Sequence, residues 1–424
     1  MSLFSFRKHR KLTVKDTIAG LDIGTSKVSC GIARLDASGK LRIIGYGHQA
    51  SRGLKAGMII DMEALTASVV GAIHAAEEMA EETLQEVFLG VSPAITKSHS
   101  LRIEANISGH AIDATDLKKI SAQACHEVER AGNHVIHMIP MAYDIDDAHD
   151  IKDPRGMFGE TLRSSISLIS SQPSILRNFV ACIERCHLGV AGFVSSSYAS
   201  GLATLVEDEV ELGTTVIDMG AGTTSIAVFH DSKLYYTDTI LVGGAHVTAD
   251  IARGFSTPMI HAERLKALYG SAMVSSNDER EKIVVPQIGE DENHKGSQIT
   301  RGELVRIVRP RIEETFELIR DRMKAAGVHK IAGKRLVITG GASQLAGAIQ
   351  LANLILEKQG RLGKPLHLLG LEQGSRNPMF SACAGLIMYG KNTYDSLREH
   401  PEKQDQSNIN QFFGQIGSWL RENL

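Results

Sequence analysis

Apolar runs of strand length alternate with amphipathic stretches of helix length along most of the chain. Within residues 214–229, one apolar run leads into Asp218, glycines and hydroxyl residues follow, and a second apolar run then resumes. The pattern predicts a strand, a tight turn and a second strand. Residues 18–33 have the same form around Asp22. Two such hairpins, one in each half, predict a duplicated architecture.

Both turns have the chemistry of a phosphate site. Glycines let backbone N–H groups approach an anion closely, and the hydroxyls can donate hydrogen bonds to phosphate oxygens. Asp22 and Asp218 can hold a hydrated Mg²⁺, which prefers one or two carboxylates together with phosphate and water. Neither turn is a Walker A loop or a dinucleotide fingerprint, because no helix follows directly. The alternative is a pair of glycine-rich hairpin turns with no ligand.

The remaining pattern predicts an ordinary mixture of helices and strands. Helices are expected at residues 61–82, 113–131, 174–187, 245–255, 299–326 and 378–389, with further helical stretches from Pro258 and from about Leu345. Strands are expected at 41–48, 86–91, 101–107, 135–145, 165–170, 234–242, 282–288 and 334–339. After Ser92 the pattern changes to a short strand, a helix, a second strand and a loop with Gly, Asp and Pro, which predicts a small α/β insert within the first half.

The composition narrows the classes of protein to which the chain can belong. A chain of 424 residues with 43% apolar and 22% charged residues suits several soluble globular domains. A net charge of −3 argues against a dedicated nucleic-acid binder. The five scattered cysteines favour a reducing compartment. No run reaches the length of a membrane span, and the basic residues 1–15 lack the apolar core of a secretory signal. We expect those residues to form a flexible solubilising arm, with attraction to anionic lipid as the alternative.

The C-terminal residues have a different character from the body. Residues 391–408 are charged and polar and predict a flexible linker. Residues 409–424 place apolar side chains at helical spacing, with polar side chains on the rest of the helix. The apolar positions are Phe412, Phe413, Ile416, Trp419, Leu420 and Leu424. An interfacial membrane helix is expected, and a helix that packs on its own domain is the alternative.

Two lesser signals concern cysteine and histidine. Cys182, Cys186 and His187 have a spacing that could ligate a metal, but a buried helix face is the favoured interpretation because no second ligand pair is evident. His134 and His137 are expected to be surface or packing residues.

Taken together, these motifs resemble the actin-like ATPase superfamily. Its two phosphate loops match residues 22–27 and 218–225, its connecting helix matches 198–201, and its adenosine loop matches 339–343. Within that superfamily the chain resembles the FtsA family of bacterial cell-division proteins. That narrower resemblance rests on 135–146 with 151–156, on 262–266, and on the C-terminal linker and amphipathic segment.

The resemblance implies an α/β fold of two lobes, which are duplicated ribonuclease H-like domains around a cleft, with a small α/β insert and a C-terminal amphipathic helix. It implies subdomain 1A at residues 16–84, 165–195 and 365–390, the inserted subdomain 1C at 85–164, subdomain 2A at 196–244 and 300–364, and subdomain 2B at 245–299. The flexible linker would then occupy 391–408 and the membrane-targeting helix 409–424.

The resemblance also implies a site for ATP and Mg²⁺ in the cleft. Asp22 and Asp218 would hold the Mg²⁺, mainly through water. The phosphates would lie between Gly24, Thr25, Ser26 and Lys27 of one lobe and Gly220, Gly222, Thr223 and Thr224 of the other. The nucleoside and α-phosphate would lie against Gly243, Gly244, Glu263, Lys266, Gly340 and Gly341. Without the resemblance, Glu263 and Lys266 would be interpreted as a solvent-facing pair.

Hydrolysis of ATP is expected to be slow at most. Attack on the γ-phosphate needs a residue that orients water. Actin places a glutamine just before its connecting helix, and the matching position here is Gly192, which has no side chain. Asp218 is the remaining candidate for that catalytic role.

The resemblance implies a peripheral protein on the cytoplasmic face of the inner membrane at the division septum. It implies filaments assembled through the insert, a C-terminal peptide of the ring protein FtsZ bound around residues 245–300, anionic lipids as a partner of the tail, and other division proteins as partners. The alternatives are a pilus-assembly relative, a sugar or small-molecule kinase of the same superfamily, and an Hsp70-like chaperone. The chaperone would need a peptide-binding domain, and few residues follow Gly390.

Overall fold

A computed structural model describes residues 17–36, 39–289, 296–366, 368–370 and 376–399. The strands are β1 (Thr17–Ile23), β2 (Lys27–Leu35), β3 (Leu41–Ala50), β4 (Leu54–Lys55), β5 (Met58–Ile59), β6 (Glu86–Val91), β7 (Thr96–Asn106), β8 (His134–Ile145), β9 (Ala148–Ile151), β10 (Thr161–Ser171), β11 (Gly189–Ser195), β12 (Thr214–Met219), β13 (Thr224–His230), β14 (Lys233–Ile240), β15 (Lys282–Val285), β16 (Ser297–Thr300), β17 (Arg335–Thr339) and β18 (Gln359–Leu362).

The helices alternate with these strands. They are α1 (Met62–Ala80), α2 (Ala114–Arg130), α3 (Pro173–Glu184), α4 (Ser196–Thr204), α5 (Glu207–Leu212), α6 (Gly244–Phe255), α7 (Met259–Tyr269), α8 (Arg301–Ala325), α9 (Ala348–Leu356) and α10 (Ser381–Glu399). Side-chain caps fix several starts: Asp61 accepts from the Ala64 N–H ahead of α1, and Asp113 accepts from the first turn of α2. These caps explain why the predicted starts of both helices agree with the structure.

Two five-stranded sheets have the same design. The first has the order β11-β6-β1-β2-β3 and the second the order β18-β17-β12-β13-β14. In each sheet an antiparallel meander, β1-β2-β3 or β12-β13-β14, is continued by two parallel strands. The duplication predicted from the two hairpins therefore extends to whole sheets, and each hairpin lies at the same place in its sheet.

The insert forms a sheet of its own. Strands β7, β10, β8 and β9 pair in that order, and α2 covers one face with Ile120, Ala124 and Val128 in the core. The predicted boundaries, 85–164, need correction at both ends. Strand β6 pairs with β1 and so belongs to the first lobe, whereas β10 pairs with β7 and β8 through Ser171 and so belongs to the insert.

The predicted linker also needs correction at its start. Helix α10 continues to Glu399, so residues 391–399 are helical. Tyr394 packs edge-on against Phe88 at a centroid separation of 5.9 Å, and Lys391 pairs with Asp395 at 2.7 Å. These contacts extend the helix into a segment whose polar composition suggested a linker. Residues 400–424, which carry the predicted membrane helix, lie outside the described residues, as do residues 1–16.

Helices α4 and α10 cross at close range between the two sheets. At the crossing, a Cβ on Gly385 would collide with the backbone of Ala199. Only glycine allows this approach of two helix backbones. The crossing places α4 beside both hairpins, with Ser196 near the first and Ser200 near the second.

The insert touches both lobes. The Ser195 N–H of the first lobe donates to Nε2 of His137 in the insert at 2.9 Å. From the second lobe, the Lys233 ammonium donates to the Met141 carbonyl oxygen at 2.6 Å, and Asp231 pairs with Lys152 at 2.8 Å. The insert thus bridges the two lobes.

Candidate functional site

The two glycine turns have matching backbone geometry. In the first, the Gly24 N–H donates to the Lys27 carbonyl oxygen at 2.9 Å; in the second, the Gly220 N–H donates to the Thr223 carbonyl oxygen at 2.9 Å. Each bond closes a turn that joins the two strands of an antiparallel pair. Both turns are therefore closed by the same hydrogen bond between residues of the turn itself.

The turns meet across the cleft. A Cβ on Gly222 would lie 2.8 Å from the Thr25 Oγ1. The absence of a side chain at Gly222 lets the second turn come this close to the first. The sequence predicted two opposed turns, and the structure brings them into contact.

Asp22 and Asp218 flank the contact, and helix α4 reaches both of them. The Ser196 hydroxyl hydrogen-bonds to the Asp22 carboxylate, and the Ser200 hydroxyl donates to the Asp218 carboxylate. Ser196 and Ser200 are four residues apart, so they lie on one face of the helix. One helix thus holds an aspartate from each lobe.

Both carboxyl groups have raised pKa values. Burial raises the pKa of Asp22, and the nearby Lys27 charge and the Ser196 hydrogen bond oppose that effect. Burial raises the pKa of Asp218 to about 6; the Ser200 hydrogen bond opposes the shift and the charge of Asp22 adds to it. Two partly buried carboxylates that repel each other form a site whose energy a cation would lower.

Lys27 points along the first turn toward an aromatic ring. Its ammonium donates to the Ser29 Oγ at 2.9 Å and lies 4.9 Å from the centroid of Phe380. Phe380 belongs to a 3₁₀ turn, Pro378–Phe380, that precedes α10. The ring and the serine hold the lysine charge close to both aspartates.

The start of α6 is fastened to the second turn. The Gly244 N–H donates to the Gly220 carbonyl oxygen, and the Ala245 N–H donates to the Ala221 carbonyl oxygen, both at 2.9 Å. A Cβ on Gly243 would lie 2.6 Å from both of these carbonyl oxygens. Gly243 and Gly244 thus allow the helix start to lie directly on the turn.

Glu263 and Lys266 reach this same helix start. The Lys266 ammonium donates to the Gly244 carbonyl oxygen at 3.1 Å, to the Thr248 Oγ1 at 2.9 Å and to the Glu263 carboxylate at 2.7 Å. The Lys266 side chain is only 15% exposed and does not face solvent, whereas the Glu263 side chain is 57% exposed. Helices α6 and α7 hold these polar groups at the edge of the cleft.

Gly340 closes the site from the side of strand β17. Its φ is +86° and its ψ is 165°, a backbone conformation open to glycine. A Cβ there would collide with the Asp218 carboxylate. Gly341 follows at the start of a 3₁₀ turn, Gly341–Gln344. Gly340 therefore lies beside the second aspartate, and the predicted contact of both glycines with a nucleoside stays a prediction.

For Thr224 the structure corrects the predicted role. The side chain is fully buried, and its hydroxyl donates to the Val242 carbonyl oxygen at 2.8 Å. That hydroxyl ties β13 to the segment before α6 and is not free to bind a phosphate. The other turn residues, Gly24, Thr25, Ser26, Gly222 and Thr223, all remain at least partly exposed.

Sequence reasoning missed four residues of this site: Ser196, Ser200, Thr248 and Phe380. The first two carry a signal, since hydroxyl residues four apart at the start of a predicted helix lie on one face. Thr248 and Phe380 carry none, because their partners lie on other elements of the fold. Gly192, the position that matches the actin glutamine, is buried in β11.

The apolar positions of the predicted membrane helix belong to the C-terminal tail. Phe412, Phe413, Ile416, Trp419, Leu420 and Leu424 lie outside the described residues. Within the described part of the chain, no helix combines the length and apolar character needed to cross a bilayer.

Two family models match the chain. The family described as "Cell division protein FtsA" matches residues 215–385, and "SHS2 domain inserted in FTSA" matches residues 94–170. The second match has nearly the limits of the insert sheet, β7 to β10.

Whole-chain relatives carry the same description. The cell division protein FtsA of Rhizobium meliloti is 41% identical over 420 residues, which cover 96% of this chain and 95% of the relative. That of Escherichia coli is 31% identical over 419 residues, which cover 97% and 99%.

Solved structures share the fold at low sequence identity. A PilM–PilN type IV pilus biogenesis complex aligns with a TM-score of 0.65 at 15% identity and covers 88% of this chain and 98% of its own. MreB5 of Spiroplasma citri bound to ADP aligns with a TM-score of 0.53 at 14% identity and covers 91% and 99%. These likenesses show an actin-like fold.

Proposed function

The chain belongs to the FtsA family of cell division proteins, and on that premise we propose that it binds ATP with Mg²⁺ between its lobes and attaches a division filament to the membrane. The contact between the two glycine turns, flanked by Asp22 and Asp218, is the observation that carries the nucleotide site. MreB5 of Spiroplasma citri, which shares the fold, is bound to ADP in its solved structure.

The residues present fit a magnesium nucleotide. Asp22 and Asp218 would hold Mg²⁺ mainly through water, and the ion would supply positive charge against the phosphates. Backbone N–H groups of the two turns and the hydroxyls of Thr25 and Thr223 would donate to phosphate oxygens. Lys27 would add a point charge, which suits phosphate without fixed geometry.

The nucleoside would lie against the edge formed by α6, α7 and the Gly340 turn. The Glu263 carboxylate would accept from ribose hydroxyls, and Lys266 would face the base. Gly340 and Gly341 would let the base or the ribose lie against the backbone. Because Gly192 offers no side chain to orient water, we propose at most slow hydrolysis, with Asp218 as the fallback candidate for that role.

Calorimetric titration with ATP and Mg²⁺ tests this site. Asp22→Ala and Asp218→Ala should each weaken magnesium-dependent binding at least tenfold, since each removes a carboxylate from the pair. Asp153→Ala is the matched control, because Asp153 pairs with Arg155 on the exposed insert loop. If the wild-type protein takes up no ATP, or if both cleft variants bind as well as the control, the nucleotide assignment is wrong.

The tail would attach the filament to the membrane. The apolar positions of residues 409–424, which include Trp419, would enter the interface of anionic membranes, and several tails on one filament would bind far more tightly than one. The net charge of the segment is near zero, so burial of its aromatic face would carry the binding.

Trp419 is the only tryptophan, so its emission reports on the tail alone. Its emission should shift to the blue with anionic liposomes, and the protein should co-sediment with them. Trp419→Glu should abolish co-sedimentation. Ser418→Glu, which adds the same charge to the polar side of the predicted helix, should retain most of it. A wild-type protein that stays in the supernatant with unchanged emission would refute membrane attachment.

Residues 245–300 would dock the C-terminal peptide of FtsZ. The large apolar side chains of Met259, Ile260 and Ile288 are more than half exposed on this segment. The Ile288 N–H donates to the Ser256 carbonyl oxygen, which places Ile288 beside the residues that lead into α7. Ile260→Lys should weaken binding of a labelled FtsZ peptide in fluorescence anisotropy. Leu354→Lys, at a similarly exposed position on α9, should not.

The insert would join neighbouring protomers in the filament. Its loop exposes Met157 and Phe158, the latter at 70%. Phe158→Asp should therefore reduce ATP-dependent sedimentation of filaments. An unchanged pellet would argue that the filament contact lies elsewhere.

A pilus-assembly role is the second candidate. It rests on the fold likeness to PilM alone, at 15% identity. The tail experiment separates the two roles, because the tail of a pilus-assembly relative would bind another protein and not lipid.

A further inference from the structure

His137 belongs to the insert, yet its side chain is buried against the first lobe. It lies on β8, is only 6% exposed, and its Nε2 accepts the Ser195 N–H at 2.9 Å. The rings of Tyr198 and Tyr389 stand edge-on to it, with centroids 5.2 and 5.5 Å away. Tyr198 belongs to α4 and Tyr389 to α10, so the imidazole contacts both helices of the crossing.

The imidazole acts as an acceptor at neutral pH. Burial lowers the pKa of His137 to about 3, so the ring stays neutral and one ring nitrogen keeps a lone pair. The hydrogen bond to Ser195 therefore persists throughout the physiological pH range.

The bonded residue is the one from which α4 starts. Ser195 is the N-cap of that helix, and its own side chain makes no capping hydrogen bond. Its position is instead set by its pairing in β11 and by His137. One residue later Ser196 contacts Asp22, and one turn further Ser200 contacts Asp218.

The insert is also bound to the second lobe. Lys233 and Asp231, at the β13–β14 turn, contact Met141 and Lys152 of the insert. Ile169 of the insert packs in the buried cluster that holds Phe229 and Val216. A displacement of either lobe therefore changes the surroundings of β8.

We propose that His137 is a positioning residue through which the insert sets the affinity of the cleft for magnesium nucleotide. It fixes the start of α4, and α4 in turn fixes both aspartates. By linkage, a partner that shifts β8 changes the affinity for nucleotide, and nucleotide changes the affinity of the insert for that partner by the same factor. This inference rests on the proposed nucleotide site.

The test compares ATP affinity with and without Mg²⁺ in three variants. His137→Leu fills similar space but removes the acceptor, and should weaken binding in Mg²⁺ on the order of tenfold. It should change binding in EDTA much less, because the effect passes through the aspartates. His137→Gln can place an acceptor at a similar reach and should restore most of the affinity. His99→Leu is the control, since His99 bonds to Ser170 within the insert.

The outcomes separate this inference from the proposed function. If wild type binds no ATP, the nucleotide site itself is wrong. If wild type binds and His137→Leu binds equally well in Mg²⁺, the coupling is wrong and the nucleotide site stands. A loss equal in Mg²⁺ and EDTA would also overturn the coupling, because it would mark a purely structural role.

A second measurement applies if His137→Leu does not fold. Hydrogen exchange of the wild-type protein should show that magnesium ATP slows exchange of the Ser195 amide and alters protection of residues 135–139 in β8. Unchanged exchange across the insert on ATP binding would overturn the proposal.

Discussion

At the scale of residues, Asp218, which we propose as a magnesium ligand, destabilises the folded protein near neutral pH. Its pKa is raised to about 6 from an ordinary value of 3.8, so the folded protein binds this proton more tightly than the unfolded chain. Folding stability therefore falls as the pH rises from about 4 to about 6 and stays lower above that range. The Mg²⁺ that we propose at this site would offset the cost of the buried charge.

Asp218→Asn should stabilise the nucleotide-free protein. The amide oxygen can still accept from Ser200, and no charge is buried. With a shift from 3.8 to about 6, the gain at pH 7 should be about 1–3 kcal/mol. Urea unfolding should show the gain above about pH 6 and its loss toward pH 4. A variant less stable than wild type at pH 7 would contradict this account.

Gly340 offers a second prediction at this scale. Gly340→Ala should cost about 1–3 kcal/mol of backbone strain and should also displace the Asp218 carboxylate, so ATP binding should be lost. Gly327→Ala is the control: that residue also has a positive φ, +70°, but no atom lies within 4 Å of the added methyl group. The control should lose stability but keep ATP affinity, as judged by urea unfolding and calorimetry.

Both turns were readable from the sequence because their chemistry is local. Asp22 and Asp218 each end an apolar run, and glycines and hydroxyls follow at once. The buried hydroxyl of Thr224 was misjudged because its acceptor, Val242, lies eighteen residues away. The roles of Ser196 and Ser200 depend on partners in distant strands, and a helical pattern does not identify those.

At the scale of elements, the crossing of α4 and α10 should tolerate no side chain at Gly385. Gly385→Ala should destabilise the protein by at least about 2 kcal/mol, because the methyl group would collide with the Ala199 backbone. Gly71→Ala in α1 is the matched control, since its nearest neighbour is the Gln49 side chain at 3.5 Å. Alanine there should raise stability by up to about 1 kcal/mol. Denaturant unfolding compares the two, and equal effects would contradict the close crossing.

The sequence pattern predicts most helices and strands, but it does not predict which sheet a strand joins or which contacts extend a helix. The pattern gave the strand at β10 but assigned it to the first lobe, because periodicity does not reveal which sheet a strand joins. The polar residues 391–399 suggested a linker, yet Tyr394 against Phe88 and the Lys391–Asp395 pair extend the helix. Tertiary contacts determine both the sheet that β10 joins and the length of α10.

At the scale of the whole molecule, the site exists only when both lobes are in place. Each lobe supplies one aspartate and one turn, and neither set is complete alone. As a result, we expect that substitutions in the two lobes will have strongly non-additive effects on nucleotide binding. A saturating magnesium nucleotide should raise the melting temperature of wild type by a few degrees, as about 2.7 kcal/mol of binding energy at 100 times Kd implies.

Asp22→Ala and Asp218→Ala should each abolish most of that rise, and the double variant should lose little more. Differential scanning fluorimetry with and without nucleotide measures the cycle. Independent, additive losses would mean that the two turns bind separate ligands.

Helix α10 begins in the crossing beneath the cleft and ends at Glu399, the last described residue before the tail. A tail held by a lipid bilayer would therefore pull along this helix. Any tension between membrane and ring would then reach the crossing of α4 and α10. Mechanical load and nucleotide state would then act on the same pair of helices.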